Sequence, residues 1–105
     1  MEFEIVWSQF AEKQLDEIYD YYVENASKRV AKTILQNLLN TPNQLKLNPF
    51  IGQIENLLKG RIITYRYLIY KNHKIIYSVD QENGLIKISD VFDTRQNPEK
   101  IKRIV

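Results

Sequence analysis

The stretch YRYLIYKNHKIIYSVD, residues 65 to 80, decides the fold class. Apolar and polar residues alternate on both sides of KNH at 71–73, and the tyrosine, isoleucine and valine in it favour strands. A short polar interruption between two such runs is typical of the tight turn that joins antiparallel strands. The stretch therefore predicts a β-hairpin whose strands lie at about residues 62–70 and 74–80.

The same alternation continues on either side of this hairpin. QENG at 81–84 ends in Asn-Gly, a turn signal, and leads into a third predicted strand at about 85–92, so these strands form an antiparallel meander. EFEIVW at 2–7 predicts one more strand at the start of the chain. Its apolar face consists of Phe3, Ile5 and Trp7.

Between the first strand and the meander, the apolar period lengthens to that of a helix, which predicts a pair of helices. Ser8 is placed to cap the first helix, which we expect to end near Asn25, and Ser27 is placed to cap the second. Pro42 is compatible either with a new short helix or with a kink in one long helix. Because the apolar phase is unbroken across it, we favour a kinked second helix to about Leu47. The short connection makes the two helices an antiparallel hairpin.

The order of elements predicts an α+β fold of β-α-α-β-β-β type, with the helical hairpin packed on one face of a small, mostly antiparallel sheet. NPFIGQ at 48–53 is a turn signal, and TRQNPEKIKRIV at 94–105 predicts a loop followed by a short helical end that Pro98 starts. At this length we expect one domain over residues 1–105.

Alternation along the middle strand of the meander assigns its side chains to two faces. The more apolar set is the predicted core face under the helices: Ile75, Tyr77 and Val79. The other set is expected to point outward: Lys74, Ile76 and Ser78.

The preceding strand places Arg66 on one face with Leu68 and Tyr70. Because an arginine is seldom fully buried, we expect that face to point outward, with Arg66 beside Lys74. Arg95 follows the last strand and is expected to reach the same area.

Composition excludes several classes of site and protein. The chain has no cysteine, which excludes disulfides, thiol nucleophiles and cysteine-based zinc sites. The acidic start shows no signal peptide, and no apolar run is long enough for a membrane helix, so a cytoplasmic protein is expected. No phosphate-binding loop or His/Asp/Glu cluster at metal spacing is evident, so we expect neither cofactor nor metal.

Charge is distributed unevenly along the chain. The net charge is +2, but residues 1–50 hold five Lys or Arg against seven Asp or Glu, whereas residues 51–105 hold ten against six. The second half is therefore the half expected to face an anionic surface, either nucleic acid or an acidic protein.

Four segments together resemble the RelE/ParE superfamily of toxins from bacterial type II toxin–antitoxin systems. They are EIVWS leading into the first helix, then LKLNPFIGQ, YRYLIYKNHKIIYSVD and IKISDVFDTRQNPEK. The resemblance implies a helical hairpin on a small sheet, a cognate antitoxin partner, and contact with operator DNA only through that antitoxin. It also implies one of two targets. ParE-like members bind DNA gyrase and trap it on DNA, and RelE-like members cleave mRNA in the ribosomal A site without a metal.

The long helical hairpin and the PFIG turn look more like the ParE branch, so gyrase is the favoured target. The alternative is a ribosome-dependent, metal-free mRNA endoribonuclease. Lys74 and Arg95 match two cations of RelE-like nucleases, but the C-terminal Tyr or His that many of those have is absent here. A third alternative is a degenerate, non-toxic member of the superfamily that acts only as an antitoxin-binding or regulatory protein.

If the chain is a nuclease, cleavage needs a proton acceptor, a proton donor and a stabilised phosphorane. Arg66, Lys74 and Arg95 are then the candidates for charge stabilisation, and His73 is the one side chain whose ordinary pKa is near neutrality. The ordinary interpretation of His73 is a solvated imidazole in a turn. Lys74 and Arg66 are equally compatible with a plain solvated sheet face.

In either toxin mode, Arg66, Lys74 and Arg95 are expected to face an acidic segment of the antitoxin. Tyr19 and Tyr22 in the first helix are candidates for a groove that the antitoxin fills, although packing is their ordinary role. The same alternatives, packing or stacking on RNA bases, apply to the strand tyrosines at 65, 67, 70 and 77.

Overall fold

The computed structural model describes residues 2–104, in which two α-helices pack on a five-stranded sheet. The α-helices are α1 (Gln9–Asn25) and α2 (Lys28–Asn40). The strands are β1 (Glu4–Trp7), β2 (Gln53–Ile54), β3 (Arg66–Tyr70), β4 (His73–Asp80) and β5 (Leu85–Asp93). Short 3₁₀ helices cover Thr41–Lys46, Asn56–Leu58 and Pro98–Arg103. The predicted α+β class is confirmed.

The strand order across the sheet is β1-β5-β4-β3-β2. β1 runs parallel to β5, with Glu4 opposite Leu85, and the other neighbouring strands are antiparallel. The meander of β3, β4 and β5 is as predicted. β2 was not predicted, because a strand of two residues is too short to show a period.

Side-chain caps begin both α-helices where the sequence predicts them. The Ser8 hydroxyl accepts a hydrogen bond from the Ala11 amide at 3.0 Å, and the Ser27 hydroxyl accepts one from the Val30 amide at 3.1 Å. Each bond satisfies an amide that the first turn of a helix leaves without a partner. The first helix ends at Asn25, also as predicted.

The prediction of one kinked α-helix to Leu47 was wrong. α2 ends at Asn40, and Thr41–Lys46 winds as a 3₁₀ helix with Pro42 in its first turn. Proline has no amide hydrogen, and its ring collides with the carbonyl one turn earlier, so the α-helical hydrogen bonds cannot continue through it. The apolar phase is preserved, since Leu38 and Leu45 are both buried.

The main core lies between the helical hairpin and one face of the sheet. Ile75 and Tyr77 of β4 are fully buried there, and Val79 packs against the same cluster, so the predicted core face is confirmed. The other members come from both helices and from β5: Ala11, Leu15, Ile34, Leu38, Leu45, Ile86, Ile88 and Val91. Phe3, Ile5 and Trp7 of β1 also pack against this cluster.

The opposite face of the sheet is covered as well, which corrects the predicted outward set. Ile76 is fully buried and Ser78 is buried, because the 3₁₀ helices at 56–58 and 98–103 lie over this face. Ile76 packs there in a second core with Leu58 and Ile101 of these 3₁₀ helices and with Tyr65, Phe92 and Ile104. Of the three residues predicted to point outward, only Lys74 is partly exposed.

Two further boundaries differ from the prediction. β3 begins at Arg66 rather than near residue 62, and the segment before it is a loop in which Gly60 has a φ of +89°. The tight turn of the hairpin consists of Lys71 and Asn72, with Lys71 in the left-handed region, and His73 is already part of β4. The tail forms the predicted loop and a short helical end that starts at Pro98. None of the described helices is long and apolar enough to cross a bilayer.

Candidate functional site

The register of the hairpin separates Arg66 from Lys74. Arg66 lies opposite Tyr77, and Lys74 lies opposite Ile69. Directly opposed residues of an antiparallel pair share a face, so Arg66 lies on the helix-covered face with Tyr77, and Lys74 lies on the other face. The prediction that these two cations lie side by side was wrong. An arginine is seldom fully buried, but Arg66 occupies the core face while only half-buried, because it lies at the end of β3, where carbonyl groups accept hydrogen bonds from its guanidinium.

Arg66 braces the turn at residues 49–52. Its Nη1 donates to the carbonyls of Phe50 (3.2 Å) and Gly52 (3.0 Å), and its guanidinium carbon lies 5.2 Å from the centre of the Phe50 ring. The buried Tyr77 hydroxyl holds the same turn, because it donates to the Pro49 carbonyl and accepts from the Gly52 amide. Burial raises the pKa of Tyr77. The hydroxyl therefore remains a donor at neutral pH.

Lys74 forms an ion pair with a buried carboxylate. Its Nζ lies 2.7 Å from Oε2 of Glu55, whose side chain is only 3% exposed, and 4.3 Å from the centre of the Tyr67 ring. The second oxygen of Glu55 accepts from the Leu57 amide, which fixes the carboxylate in place. The charge of Lys74 is therefore balanced within the protein.

Arg95 forms a two-pronged ion pair with Asp93. Nε and Nη2 of Arg95 donate to the two carboxylate oxygens at 3.0 and 2.7 Å, and the Arg95 amide also donates to Asp93. These bonds hold the pKa of Asp93 at about 2, and Asp93 in turn raises the pKa of Arg95. The Arg95 side chain is 59% exposed, so it is oriented by Asp93 while remaining open to a partner.

His73 is buried rather than solvated, which corrects the predicted turn position. It lies opposite Asp93 at the start of β4, is 2% exposed, and its Nδ1 has no hydrogen-bond partner among residues 2–104. Burial lowers its pKa, Asp93 opposes that shift, and Arg95 adds to it. His73 is therefore neutral at pH 7.

A cleft of about 200 Å³ joins this end of the sheet to α1. Arg95, Asp93 and His73 line one side, and Tyr21 and Tyr22 line the other, their ring centres 5.2 Å apart in an edge-to-face pair. The structure thus brings together three of the predicted residues: Arg95, His73 and Tyr22. It leaves three others elsewhere: Arg66, Lys74 and Tyr19.

The sequence did not point to two buried acids that organise these surfaces. One is Glu55, and the other is Asp90, which is fully buried and accepts two hydrogen bonds from Arg103 at 2.9 and 3.0 Å. The Arg103 guanidinium lies between the rings of Phe10 and Phe92. The available signal for Asp90 was an acid directly before Val91 and Phe92 within a predicted strand. Among residues 2–104, no group of three or more His, Cys, Asp or Glu is arranged to hold a metal.

Solved structures that share this fold include two toxin–antitoxin systems. The chromosomal ParDE toxin–antitoxin system from P. aeruginosa aligns with a TM-score of 0.73 and 21% identity, over 88% of this chain and 96% of that one. The toxin–antitoxin complex RelBE2 from Mycobacterium tuberculosis aligns with a TM-score of 0.57 and 13% identity, over 89% of this chain and 99% of that one. No curated protein sequence matches the chain.

At such low sequence identity, structural similarity shows the fold alone. A match to a family's sequence model shows the family. Residues 5–98 match the sequence model of the family described as the ParE toxin of the type II toxin–antitoxin system parDE. The match extends from β1 to the start of the final 3₁₀ helix and so includes the candidate cleft. The chain belongs to the ParE toxin family of type II toxin–antitoxin systems.

Proposed function

We propose that this toxin arrests growth by binding DNA gyrase and poisoning it, as ParE-like toxins do, and that a cognate antitoxin neutralises it in the cytoplasm. The observation that carries the proposal is the dispersal of the candidate catalytic cations. Lys74 is paired with Glu55 on one face of the sheet, whereas Arg66 binds carbonyls on the other face. Arg95 is paired with Asp93 at the end of the sheet.

This arrangement is poorly suited to metal-free RNA cleavage. A phosphorane is stabilised by preorganised donors that converge on one point, whereas these three cations are held by different partners at different places on the sheet. His73, the candidate acid or base, is buried. A protein-binding mode of toxicity needs none of these groups to converge. The antitoxin is the partner that both similar structures suggest, since both are toxin–antitoxin systems. We expect contact with operator DNA only through the antitoxin, and no cofactor.

Purified protein tests the proposal in two parallel assays. We expect inhibition of gyrase supercoiling with accumulation of gyrase-dependent DNA breaks, and no cleavage of mRNA on translating ribosomes. Cleavage of ribosome-bound mRNA without any effect on gyrase would reject the proposal. Normal growth on soluble expression without antitoxin would reject toxicity and leave a binding or regulatory protein.

One observation favours the nuclease as the second candidate. Arg95 and His73 line the same cleft, and Arg95 is both oriented and exposed. If the nuclease mode is correct, Arg95→Ala abolishes mRNA cleavage while the protein stays folded. Lys87→Ala is a suitable control, since Lys87 forms an exposed ion pair with Asp80 on another part of the sheet.

A further inference from the structure

We infer that a groove beside Arg66 is a docking site for an acidic, apolar segment of the antitoxin. The groove, called here the Arg66 groove, is lined by Phe50, Ile62, Ile63, Thr64, Arg66 and Val79. It lies apart from the cleft at Arg95, with which it shares no lining residue. The inference rests on the proposed function in one respect, the choice of the antitoxin as the partner.

The walls of the groove are apolar and open. Ile62 is fully exposed, and Ile63 and Phe50 are about half-exposed. Ile51, next to Phe50, is also about half-exposed. Single exposed apolar side chains are ordinary, but a contiguous set around a concavity is typical of a protein interaction surface.

Both walls are held in place by hydrogen bonds. On one side, Arg66 and Tyr77 fix the turn at 49–52. On the other, Arg61 donates to the Lys102 carbonyl at 3.1 Å and to the Ile104 carbonyl, so the loop that carries Ile62 is tied to the C-terminal 3₁₀ helix. A groove whose walls are already ordered loses little entropy when a partner binds.

The charge of the groove specifies the chemistry of its occupant. Nη1 of Arg66 binds two carbonyls, whereas Nε and Nη2 have no acceptor among residues 2–104. None of the six lining residues is acidic. A guanidinium with free donors is suited to a carboxylate, which it binds through charge-assisted hydrogen bonds. The fitting segment therefore places an Asp or Glu at Arg66 between apolar side chains on Phe50, Ile62 and Ile63.

The composition of the groove favours a protein over a nucleic acid. Nucleic-acid surfaces hold several cations that follow a phosphate backbone, but Arg66 is the single charged residue lining this groove. Its aromatic wall, Phe50, carries the guanidinium at 5.2 Å instead of standing free for a base to stack upon.

Ile62 gives the sharpest test, because a fully exposed side chain can change without loss of packing. The probe is the purified cognate antitoxin, and its affinity is measured by calorimetry. We expect Ile62→Asp to weaken binding about tenfold or more, because it adds repulsion to the lost contact. Ile62→Lys loses the same contact but attracts an acidic segment, so its affinity stays within about threefold of wild type.

Ile69→Asp is the matched control. Ile69 is 58% exposed and lies on β3 with Arg66, but it points to the opposite face of the sheet. We expect its affinity to equal that of wild type. Arg66→Gln is expected to lower the affinity about tenfold and to reduce its salt dependence. Thermal unfolding of each variant shows whether the fold is intact.

Four outcomes are distinguishable. Loss of affinity in Ile62→Asp and Arg66→Gln, with Ile62→Lys and Ile69→Asp near wild type, supports the inference. Equal affinity of all variants overturns it while leaving the antitoxin as partner. Failure of wild type to bind the antitoxin overturns the proposed partner together with the inference. Unchanged antitoxin binding with loss of gyrase inhibition in Ile62→Asp assigns the groove to the target instead, which also overturns the inference.

Discussion

The ammonium group of Lys74 lies 2.7 Å from a carboxylate oxygen of Glu55, a side chain almost wholly shielded from water. A lysine on a strand face is therefore part of a structural ion pair. A substitution of Lys74 leaves the Glu55 carboxylate buried without its cation. A loss of activity in such a variant can therefore result from a destabilised fold rather than from a missing functional group.

We expect Lys74→Ala to destabilise the fold by about 2 kcal/mol, because it leaves the Glu55 carboxylate buried without its cation. Urea unfolding measures this change. Lys74→Ala combined with Glu55→Gln is expected to recover part of the loss, since the neutral amide tolerates burial better than a carboxylate. A double variant no more stable than Lys74→Ala would show that the pair is not coupled.

Arg103→Ala is expected to be more damaging, at about 3 kcal/mol, because Asp90 is fully buried and Arg103 is its cation. The neighbouring Lys102 provides the control. Its ion pair with Glu99 is exposed on both sides, so Lys102→Ala is expected to cost less than about 0.5 kcal/mol. Equal denaturation midpoints for the two variants would contradict the role assigned to Arg103.

Gly52→Ala tests the close approach of the turn at 49–52 to the sheet. A Cβ at this position would collide with the Tyr77 hydroxyl and lie 2.8 Å from the Tyr67 carbonyl, so we expect a loss of about 2 kcal/mol in thermal unfolding. Tyr77→Phe removes the nearest atom, and Gly52→Ala should cost less in that background than in wild type. An equal cost in both backgrounds would exclude the hydroxyl as the obstacle.

His73 predicts a dependence of stability on pH. Its pKa in the folded protein is lowered by burial, so the unfolded chain binds the proton first as the pH falls below about 6.5. Stability contributed by the neutral imidazole is thus fully present above that pH and declines below it. Because His73 is the only histidine, its ring resonances give the titration directly by NMR. We expect a midpoint below 6.5 and a smaller loss of stability between pH 7 and 5 in His73→Gln. A midpoint at or above 6.5 would contradict this account.

Much of the fold follows from periodicity and capping. The hairpin and the core-facing set of Ile75, Tyr77 and Val79 can be predicted because their residues repeat at the spacing of a strand. Both helix starts can be predicted from their capping serines. The segments that pack over the opposite face of the sheet cannot be predicted from periodicity. They are the 3₁₀ helices at 56–58 and 98–103, which are too short to show a period.

The candidate site was harder to predict than the fold, for a related reason. Alternation assigns residues to two faces but does not say which face is covered, and a long arginine side chain is compatible with either. For that reason the predicted outward position of Arg66 was wrong. The partners that occupy the three cations are Glu55, Asp93 and the carbonyls of Phe50 and Gly52, and all of them except Asp93 lie far away in sequence.

The parallel pairing of β1 with β5 has a consequence for how this toxin is made. β1 leaves the ribosome before β5, and it finds its hydrogen-bonding partner only when Leu85 to Ile88 have been synthesised. Until then, β1 has an unpaired edge and the helical hairpin has no complete sheet to cover. Long-range pairing of this kind slows folding and delays completion of the sheet until β5 has been translated. The five-stranded sheet is therefore completed only after both helices and the whole meander have been translated.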